Sequence, residues 1–385
     1  MATTIVSGVQ YSGIWTMQQV NAAIAAGTWP SPPVYKLYGW GSNASGQLGL
    51  GNTTSYSSPK QVGTLVWSST ASGQSFTLAI KSDNTLWSWG NNSSGQLGLG
   101  NTTNYSSPKQ VGALTNWLTV TTGYTNSYAV KTDGTMWGWG SNSSGSLGLG
   151  NSTYYSSPKQ IGSLTNWAKI SGGKDFLIAV KTDGTLWAWG YNGYGMLGLN
   201  NITNYSSPKQ VGVLTNWAYA NSSVSNGVSA VKTDGTLWGW GDNTFGQTGT
   251  NNTTRYSSPV QVGALTNWSY TTGGMTVLAI KTSGQLWSWG RNDAGQLGLG
   301  DTTTRYSPNQ VGTLANWSNK ITSSIRQSSI AVKTDGTLWT WGKNQAGQLG
   351  LGNTTYLSSP NQVGALTTWL NVSSGYSFTM GIALT

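Results

Sequence analysis

Short runs in which hydrophobic and polar residues alternate recur along the whole chain, separated by glycine-rich turns. In residues 76–81, FTLAIK, every second side chain is large and apolar, and a period of two predicts a β-strand. Residues 86–90, LWSWG, predict the returning strand, with both tryptophans on one face and the serine on the other. Four copies place Asp-Gly between the two runs, which favours a two-residue hairpin with positive φ at both central residues.

The hairpin belongs to a longer repeat that is marked by a tryptophan–glycine pair. The pairs begin at Trp40, Trp89, Trp139, Trp189, Trp240, Trp289 and Trp341. The steps between them are 49, 50, 50, 51, 49 and 52 residues. A repeat of this length, rich in glycine and aromatic residues, is typical of propeller blades. We therefore predict an all-β fold, a seven-bladed β-propeller of four-stranded antiparallel blades over residues 35–385.

The two ends of the repeat region predict how the ring closes. Residues 35–41, YKLYGWG, correspond to the returning strand, and residues 375–385, GYSFTMGIALT, supply the outgoing strand. We predict that the strands from the two ends pair within one blade, which leaves no open sheet edge.

Other recurring residues have structural explanations. Twenty of the 22 tryptophans occupy three repeat positions, and we predict that each ring is buried between blades with its indole N–H bonded to the backbone. The aspartate of the hairpin is explained by turn chemistry. The recurring GQLGLG lacks the Lys-Ser/Thr ending of a phosphate loop, so we predict a backbone turn with buried leucines.

The residue inventory argues against catalysis. The 385 residues include no Cys, His or Glu, and only 7% are charged, against roughly 25% in a usual soluble protein. Thiolate and imidazole chemistry are therefore excluded. The closest candidate pair for a glycan lyase or hydrolase is Asp293 with Asp301, but its spacing does not single it out. We predict no enzyme activity, no metal and no cofactor.

The basic charge does not form a nucleic-acid site. The net charge is +10 and the pI is near 9.6, but ten of the nineteen cationic residues are lysines at two repeat positions. These are Lys81, Lys131, Lys181, Lys232, Lys281 and Lys333 at one, and Lys60, Lys109, Lys159 and Lys209 at the other. Duplication spaces them around the ring, whereas nucleic-acid sites concentrate positive charge. We expect no nucleic-acid partner and no membrane span.

Positions that vary among the seven copies predict where a ligand or partner binds. The variable positions lie two, five and fifteen residues after each tryptophan of the pair, and we predict exposed loop tips there. All four arginines fall within residues 242–326, so one sector of the ring is chemically distinct. The alternative is that the sequence of this sector has drifted without function, as it can on a surface exposed to solvent. The candidate binding residues are Tyr191, Tyr194, Asp242, Phe245, Arg255, Arg291, Asp293 and Arg305.

The motif WGxNxxGQLGLG…SPxQV…W…G…AVKxDGxLWxWG resembles the regulator of chromosome condensation repeat family over residues 35–385. The resemblance implies a seven-bladed propeller split within a blade and protein binding through a ring face. Members of the family include a nucleotide-exchange factor for a small GTPase, a plant ultraviolet-B photoreceptor and a β-lactamase inhibitor. This chain lacks His, Glu and the photoreceptor motif Gly-Trp-Arg-His-Thr, so no site residue is transferred.

Residues 1–34 stand outside the repeat and predict a strand and a short helix that begins near Thr16. The string SGIWTMQQVNAAIAAGTWP is similar to a segment of predicted virion proteins of marine tailed phages. We interpret these residues as a docking segment; the alternative is that they pack on the propeller. The candidate docking residues are Trp15, Met17, Val20, Ile24 and Trp29.

These observations favour a non-enzymatic structural, decoration or tail-associated protein of a bacteriophage virion. Its expected partners are other virion proteins, bound through residues 1–34, and host surface glycans, within a larger assembly or a homo-oligomer. The alternative is a soluble or cell-surface lectin or protein-interaction propeller.

Overall fold

The computed structural model describes residues 4–6, 9–11, 17–18, 22, 34–222, 225–324 and 327–385. It divides into two units, residues 1–34 with Thr385, and residues 35–384. In the first unit, β1 (Thr4–Val6) and β2 (Val9–Tyr11) pair antiparallel. No helix among the described residues is long and apolar enough to cross a bilayer.

Most of the predicted N-terminal helix lies outside the described residues. The same holds for the docking residues Trp15, Val20, Ile24 and Trp29. Met17 is described, and 75% of its surface is exposed. The helix and the docking role therefore stay predictions.

The second unit contains seven four-stranded antiparallel sheets, as predicted. Six blades are continuous in sequence. The first comprises β5 (Trp67–Ser72), β6 (Phe76–Lys81), β7 (Leu86–Gly90) and β8 (Tyr105–Gln110). The second comprises β9 (Trp117–Thr122), β10 (Asn126–Lys131), β11 (Met136–Gly140) and β12 (Tyr155–Gln160). The third comprises β13 (Trp167–Gly172), β14 (Phe176–Lys181), β15 (Leu186–Gly190) and β16 (Tyr205–Gln210). The fourth comprises β17 (Trp217–Ser222), β18 (Gly227–Lys232), β19 (Leu237–Gly241) and β20 (Tyr256–Gln261). The fifth comprises β21 (Trp268–Thr271), β22 (Thr276–Lys281), β23 (Leu286–Gly290) and β24 (Arg305–Gln310). The sixth comprises β25 (Trp317–Ser323), β26 (Ser328–Lys333), β27 (Leu338–Gly342) and β28 (Leu357–Gln362). The seventh, the closing blade, joins β29 (Trp369–Ser374) and β30 (Phe378–Leu384) to β3 (Tyr35–Gly41) and β4 (Tyr56–Gln61).

The closing blade confirms that strands from the two ends pair. In β3 and β30 seven residue pairs face each other, from Tyr35 opposite Leu384 to Gly41 opposite Phe378. The corresponding strands β6 and β7, which a turn connects, form five such pairs. The two additional pairs lengthen the joint between β3 and β30, which no covalent turn connects.

Stacking of the blades buries both faces of the second strands. In β6 the large and the small residues are all buried except Lys81 at the end, because each sheet lies between two others. The predicted alternation is therefore one of size, not of exposure. The ring of Trp67 packs edge-on against Trp87, with centroids 6.2 Å apart, and lies 5.7 Å from Trp89, so the two tryptophans of LWSWG share a face as predicted.

The prediction of a two-residue hairpin with two positive φ angles is wrong. In the turn after β10, Gly134 has φ +78°, whereas Asp133 is not among the residues with positive φ. The N–H of Gly134 donates to the carbonyl of Lys131, and the N–H of Lys131 donates to the carbonyl of Thr135. The connection is thus a three-residue loop, in which a type I turn is followed by a left-handed glycine.

The prediction for the indole N–H groups holds at only one of the three tryptophan positions. Six tryptophans of the Trp–Gly pairs donate to a backbone carbonyl of the preceding blade, as Trp89 does to Gln47 at 2.9 Å. At the second position the acceptor is a threonine hydroxyl, as Trp137 shows with Thr135 at 3.1 Å. At the third position, which includes Trp67 and Trp117, the buried indole nitrogen has no partner among the described residues.

The threonine acceptor belongs to a short chain of hydrogen bonds that recurs in five blades. In the blade of β14, the backbone N–H and the hydroxyl of Thr185 donate to Asp183 Oδ1 at 2.9 and 2.6 Å, and Trp187 Nε1 donates to the same hydroxyl at 2.9 Å. The bond from the threonine hydroxyl, followed by that from its backbone amide, lowers the pKa of Asp133, Asp183, Asp234 and Asp335. The aspartate thus fixes the turn and, through threonine, the indole.

The blade of β22 and β23 lacks this chain and provides a test of it. Ser283 and Gln285 replace aspartate and threonine, and the buried Trp287 indole nitrogen has no partner among the described residues. We expect the double substitution Ser283→Asp with Gln285→Thr to raise the free energy of unfolding by about 1 kcal/mol, because it satisfies a buried donor. Chemical denaturation at neutral pH measures the gain.

The pH dependence of stability separates the contribution of the introduced aspartate from that of the introduced threonine. A carboxyl whose pKa is lowered by folding stabilises the native state above its ordinary value of 3.8, and this stabilisation is lost as the pH falls through the lowered pKa. The contribution of the introduced carboxylate is therefore expected to disappear in acid, whereas Gln285→Thr alone keeps its smaller gain. An equal gain from Ser283→Ala would contradict this account.

Candidate interaction surface

The antiparallel strands place the variable loops on one end of the propeller. In every blade the loop between the first and second strands and the loop between the third and fourth strands lie at the same end, which we call the upper face. The hairpin turns and the connections between blades form the lower face. The first strands of all seven blades line a central channel of about 260 Å³, walled mainly by serine, threonine and small apolar residues.

A buried asparagine fixes each loop between the third and fourth strands. Asn92 is fully buried; its Oδ1 accepts from the Leu97 N–H at 2.9 Å, and its Nδ2 donates to the Asn101 carbonyl at 3.0 Å. Leu97 is buried, and Gly98 has φ +74° with its Cα directly against the Trp139 indole. GQLGLG is therefore a backbone turn, as predicted; its first leucine, Leu97, is buried, whereas the second, Leu99, is only partly buried. The variable positions project from this rigid frame.

The first group of predicted binding residues joins two neighbouring blades. The ring of Tyr191 lies edge-on to that of Tyr194, with centroids 6.4 Å apart. The guanidinium of Arg255, from the next blade, lies 4.7 Å from the Tyr194 ring centroid. Its Nε donates to Asp242 Oδ1 at 3.1 Å. A cation between an aromatic face and a carboxylate has little rotational freedom left.

The second group repeats this arrangement one blade further. The guanidinium of Arg291 lies 4.8 Å from the Phe245 centroid and donates twice to Asp293, at 3.1 and 2.6 Å. Gln327, from the following blade, donates to Asp293 Oδ1 at 2.8 Å. Burial acts to raise the pKa of Asp293, but the hydrogen bonds that it accepts, chiefly from Arg291, outweigh burial and lower it.

Arg305 begins the fourth strand of the same blade, β24, but belongs to neither group. Its guanidinium donates to Asp301 Oδ2 at 2.6 Å and to the Thr303 carbonyl at 2.7 Å. The backbone N–H of Thr303, then the guanidinium of Arg305, lowers the pKa of Asp301. Asp293 and Asp301 are thus each paired with their own arginine.

Residues that the sequence analysis missed lie in the loops between the first and second strands. The backbone N–H two residues after each Trp–Gly tryptophan donates to a carbonyl of that loop at 2.8–3.0 Å. In three adjacent blades the resulting pairs are small and neutral: Ser377 with Ser42, Ser75 with Asn91, and Thr125 with Ser141. In the other four the pairs are Asp175 with Tyr191, Asn226 with Asp242, Met275 with Arg291, and Gln327 with Lys343.

We call the upper face of these four blades, from β13 to β28, the charged sector. It contains both arginine groups, and Met275 Sδ lies 3.8 Å from Arg291 Nη1. Burial raises the pKa of Asp175, and Lys174 acts in the opposite direction. Asp175 forms none of the four ion pairs found among the described residues. The sector therefore combines aromatic faces, oriented guanidiniums and a carboxylate that lies outside those four ion pairs.

The prediction of exposed loop tips needs a correction. Asp242 is only 8% exposed, because Arg255 and the Thr244 hydroxyl, which donates to it at 2.7 Å, cover its carboxylate. Tyr191, Tyr194, Phe245 and Arg291 are half-buried, and Arg255 is exposed. Variation at these positions thus reflects contacts between neighbouring loops as well as access to solvent.

Comparison with known proteins identifies the fold. The sequence profile of the RCC1-like domain matches residues 36–381. Human WBSCR16 has a similar structure, with a TM-score of 0.82 and 21% identity over 91% of this chain and 99% of that one. Yeast RCC1 (Prp20), solved bound to Kap60, has a TM-score of 0.80 and 20% identity over 92% of this chain and 90% of that one. A structure of Saccharomyces cerevisiae Prp20p, reported with its binding properties to Gsp1p and histones, has a TM-score of 0.78 and 21% identity over 92% of each chain. No curated protein sequence matches this chain.

Proposed function

We propose that this chain, which belongs to the RCC1-like domain family, is a non-enzymatic protein-interaction propeller that binds its partner through the charged sector. The observation that carries the proposal is the asymmetry of the upper face. The two equivalent positions of each blade bear only serine, threonine or asparagine in three blades, whereas in each of the other four at least one of them bears a charged side chain. Blade packing cannot require this difference, because the frame beneath is the same in both halves.

The geometry of the sector suits a protein partner. Interfaces depend on aromatic and arginine side chains that are held in place before binding. Arg255 and Arg291 are each fixed by a carboxylate of their own blade and an aromatic ring of the preceding blade. Little side-chain entropy remains to be lost when a partner covers them. Prp20, whose fold this chain shares, is described as bound to Kap60 and as binding Gsp1p and histones, so a protein ligand is a known use of such a propeller.

A virion role remains a finer proposal that rests on the sequence alone. It depends on about twenty residues that resemble a phage segment, and most of them lie outside the described residues. The similar structures named above are human and yeast proteins, and they lend it no support. Mass spectrometry of purified phage particles tests this role, and absence of the chain from them would end it. Binding of host surface glycans likewise stays a prediction.

The interaction proposal is tested by removing one arginine group. We expect Tyr194→Ala with Arg255→Ala to weaken binding of proteins retained from an extract of the encoding organism roughly tenfold or more, as for interface hot spots. Quantitative affinity purification followed by titration of the purified partner measures the effect.

The chain offers a matched control in the neutral half. Ser144 and Tyr154 occupy the same loop positions in the blade of β9 to β12, and Tyr154 is 50% exposed. Ser144→Ala with Tyr154→Ala is expected to leave the same partner bound. Equal loss with both double variants, or no loss with either, would contradict a site in the charged sector.

A further inference from the structure

A second asymmetry lies on the opposite end of the ring, where the first strands begin. We compare the residue of each first strand that directly precedes the partner of the second-strand alanine or glycine, near the lower end of the channel wall. Around the ring this residue is Ser69, Thr119, Lys169, Tyr219, Tyr270, Lys320 and Asn371, because β25 contains one extra residue after its tryptophan. Two adjacent blades thus place tyrosines here, with a lysine in the blade on either side, where the other three blades have small hydroxyl or amide side chains.

Lys169 and the two tyrosines line a cavity of about 500 Å³ together with Leu118, Ala168 and Asn221. Cavities of roughly 300–1,000 Å³ hold small-molecule ligands. The rings of Tyr219 and Tyr270 meet edge-to-face, with centroids 5.4 Å apart and planes inclined by 67°. Asn221 and Tyr270 also line the channel above, so the cavity opens directly onto walls rich in serine and threonine.

The cavity holds one cationic group that is available to a ligand. Lys169 is exposed and takes part in none of the ion pairs among the described residues. Its Nζ lies 5.8 Å from the Tyr219 ring centroid, near the outer limit of a cation–π contact, which is weak at an exposed site. The hydroxyl of Tyr219 has no hydrogen-bond partner among the residues that the structure describes. A compact ammonium and a free phenol therefore face the same space.

We propose that this cavity binds a carboxylated sugar, with the carboxylate at Lys169 and the sugar ring against Tyr219 and Tyr270. An aromatic face packs against the C–H groups of a pyranose, and the hydroxyls of Tyr219 and of the adjoining channel wall match a polyhydroxylated body. One lysine suits the single charge of a carboxylate; phosphate sites gather arginine forks or several backbone N–H groups. The site is separate from the charged sector and goes beyond the proposed protein interaction.

Glucuronate is the probe, and glucose is its neutral counterpart of nearly the same shape. We expect ligand-observed NMR to detect glucuronate on the full chain, with an affinity that falls as salt is added. Lys169→Met is expected to weaken glucuronate roughly tenfold or more, to the level of glucose. Tyr219→Phe, which removes only the free hydroxyl, is expected to weaken both sugars and to leave folding intact.

Lys320 gives the matched control. It is also an exposed lysine on a first strand, β25, but it does not line the cavity. Lys320→Met is expected to leave the glucuronate affinity unchanged, which separates a local contact from the effect of net charge. The inference is overturned if the wild-type chain does not bind glucuronate, or if Lys169→Met binds it as the wild type does. It is equally overturned if both lysine variants lose the same affinity. None of these results bears on the charged sector.

Discussion

Deletion of residues 35–41 is expected to abolish the single cooperative unfolding transition of the propeller. These residues form β3, through which, among the described strands, the N-terminal part of the ring pairs with β30. Without β3, the buried Phe378, Met380 and Ile382 of β30 lose one neighbouring strand. We expect loss of near-ultraviolet circular dichroism and exposure of hydrophobic surface to a fluorescent dye at room temperature.

The magnitude follows from two side chains of β3. Leu37 and Trp40 are fully buried; truncation of a leucine to alanine costs about 2–5 kcal/mol and that of a large aromatic about 3–5 kcal/mol. The sum is comparable to the total stability of a typical domain, roughly 5–15 kcal/mol. The deletion also removes the seven paired residues of the backbone ladder. Closure is therefore expected to decide whether the ring folds.

Two substitution variants distinguish packing from backbone pairing. Leu37→Ala with Trp40→Ala keeps the ladder and removes the two side chains, so we expect a much lower melting temperature but a visible transition. Lys36→Ala, in the same strand, removes only a lysine whose Nζ bonds the Thr64 carbonyl at an exposed site, and its effect is expected to stay within about 0.5 kcal/mol. A deletion variant that melts like the wild type would show that the ring does not depend on this joint.

The fold could be predicted because the same sequence pattern recurs in every blade. Spacing of the Trp–Gly pairs determines the number of blades, and the incomplete hairpin at each end locates the joint. The hairpin type could not be predicted as easily, because Asp-Gly fits both a two-residue turn and a type I turn followed by a left-handed glycine. What decides is the pair of bonds from Thr135 to Asp133 Oδ1, at 2.9 Å for the N–H and 2.7 Å for the hydroxyl, which hold the aspartate in the right-handed region.

Only some residues of the candidate site could be recognised from the sequence. Arg255 and Arg291 stood out because other copies have no arginine at those positions. Asp175, Met275 and Gln327 did not stand out, because the loops that carry them have no motif by which the copies can be aligned. Only the hydrogen bond from each Trp–Gly loop to the neighbouring carbonyl shows that Met275 and Arg291, or Gln327 and Lys343, occupy equivalent places.

The repeat also indicates that functional residues are to be sought at positions where one blade differs from the others. A residue present in every blade, such as the buried asparagine of the upper loops, is explained by the frame it holds. A residue present in only one or a few blades is not required by that frame, and a set of such residues that changed together is harder to explain by chance than one alone. On the upper face the neighbours did change, since Arg255 accompanies Asp242 in its own loop and Tyr194 across a blade boundary. Such paired departures argue for a selected surface.

The second large effect is expected at the hairpin glycine Gly184, where a comparison with Gly212, in the connection to the next blade, separates the cost of conformation from that of contact. Gly184 has φ +75°, and a Cβ built there would overlap the backbone carbonyl oxygen of Thr215 in the connection to the next blade. Gly212 has φ +62° and nothing within 4 Å of the same atom. An L-residue in the left-handed region costs roughly 1–2 kcal/mol, and both Gly→Ala variants bear this cost. Gly184→Ala must also displace the backbone of Thr215, and overpacking costs about 1–3 kcal/mol more.

We therefore expect Gly212→Ala to lower the free energy of unfolding by about 1 kcal/mol and Gly184→Ala by several times as much. Denaturant unfolding measures both values, provided that the dependence of the unfolding free energy on denaturant concentration is the same for the two variants. Equal losses would show that the turn and the connection between blades move apart freely, and would remove steric contact as the reason for glycine at this position.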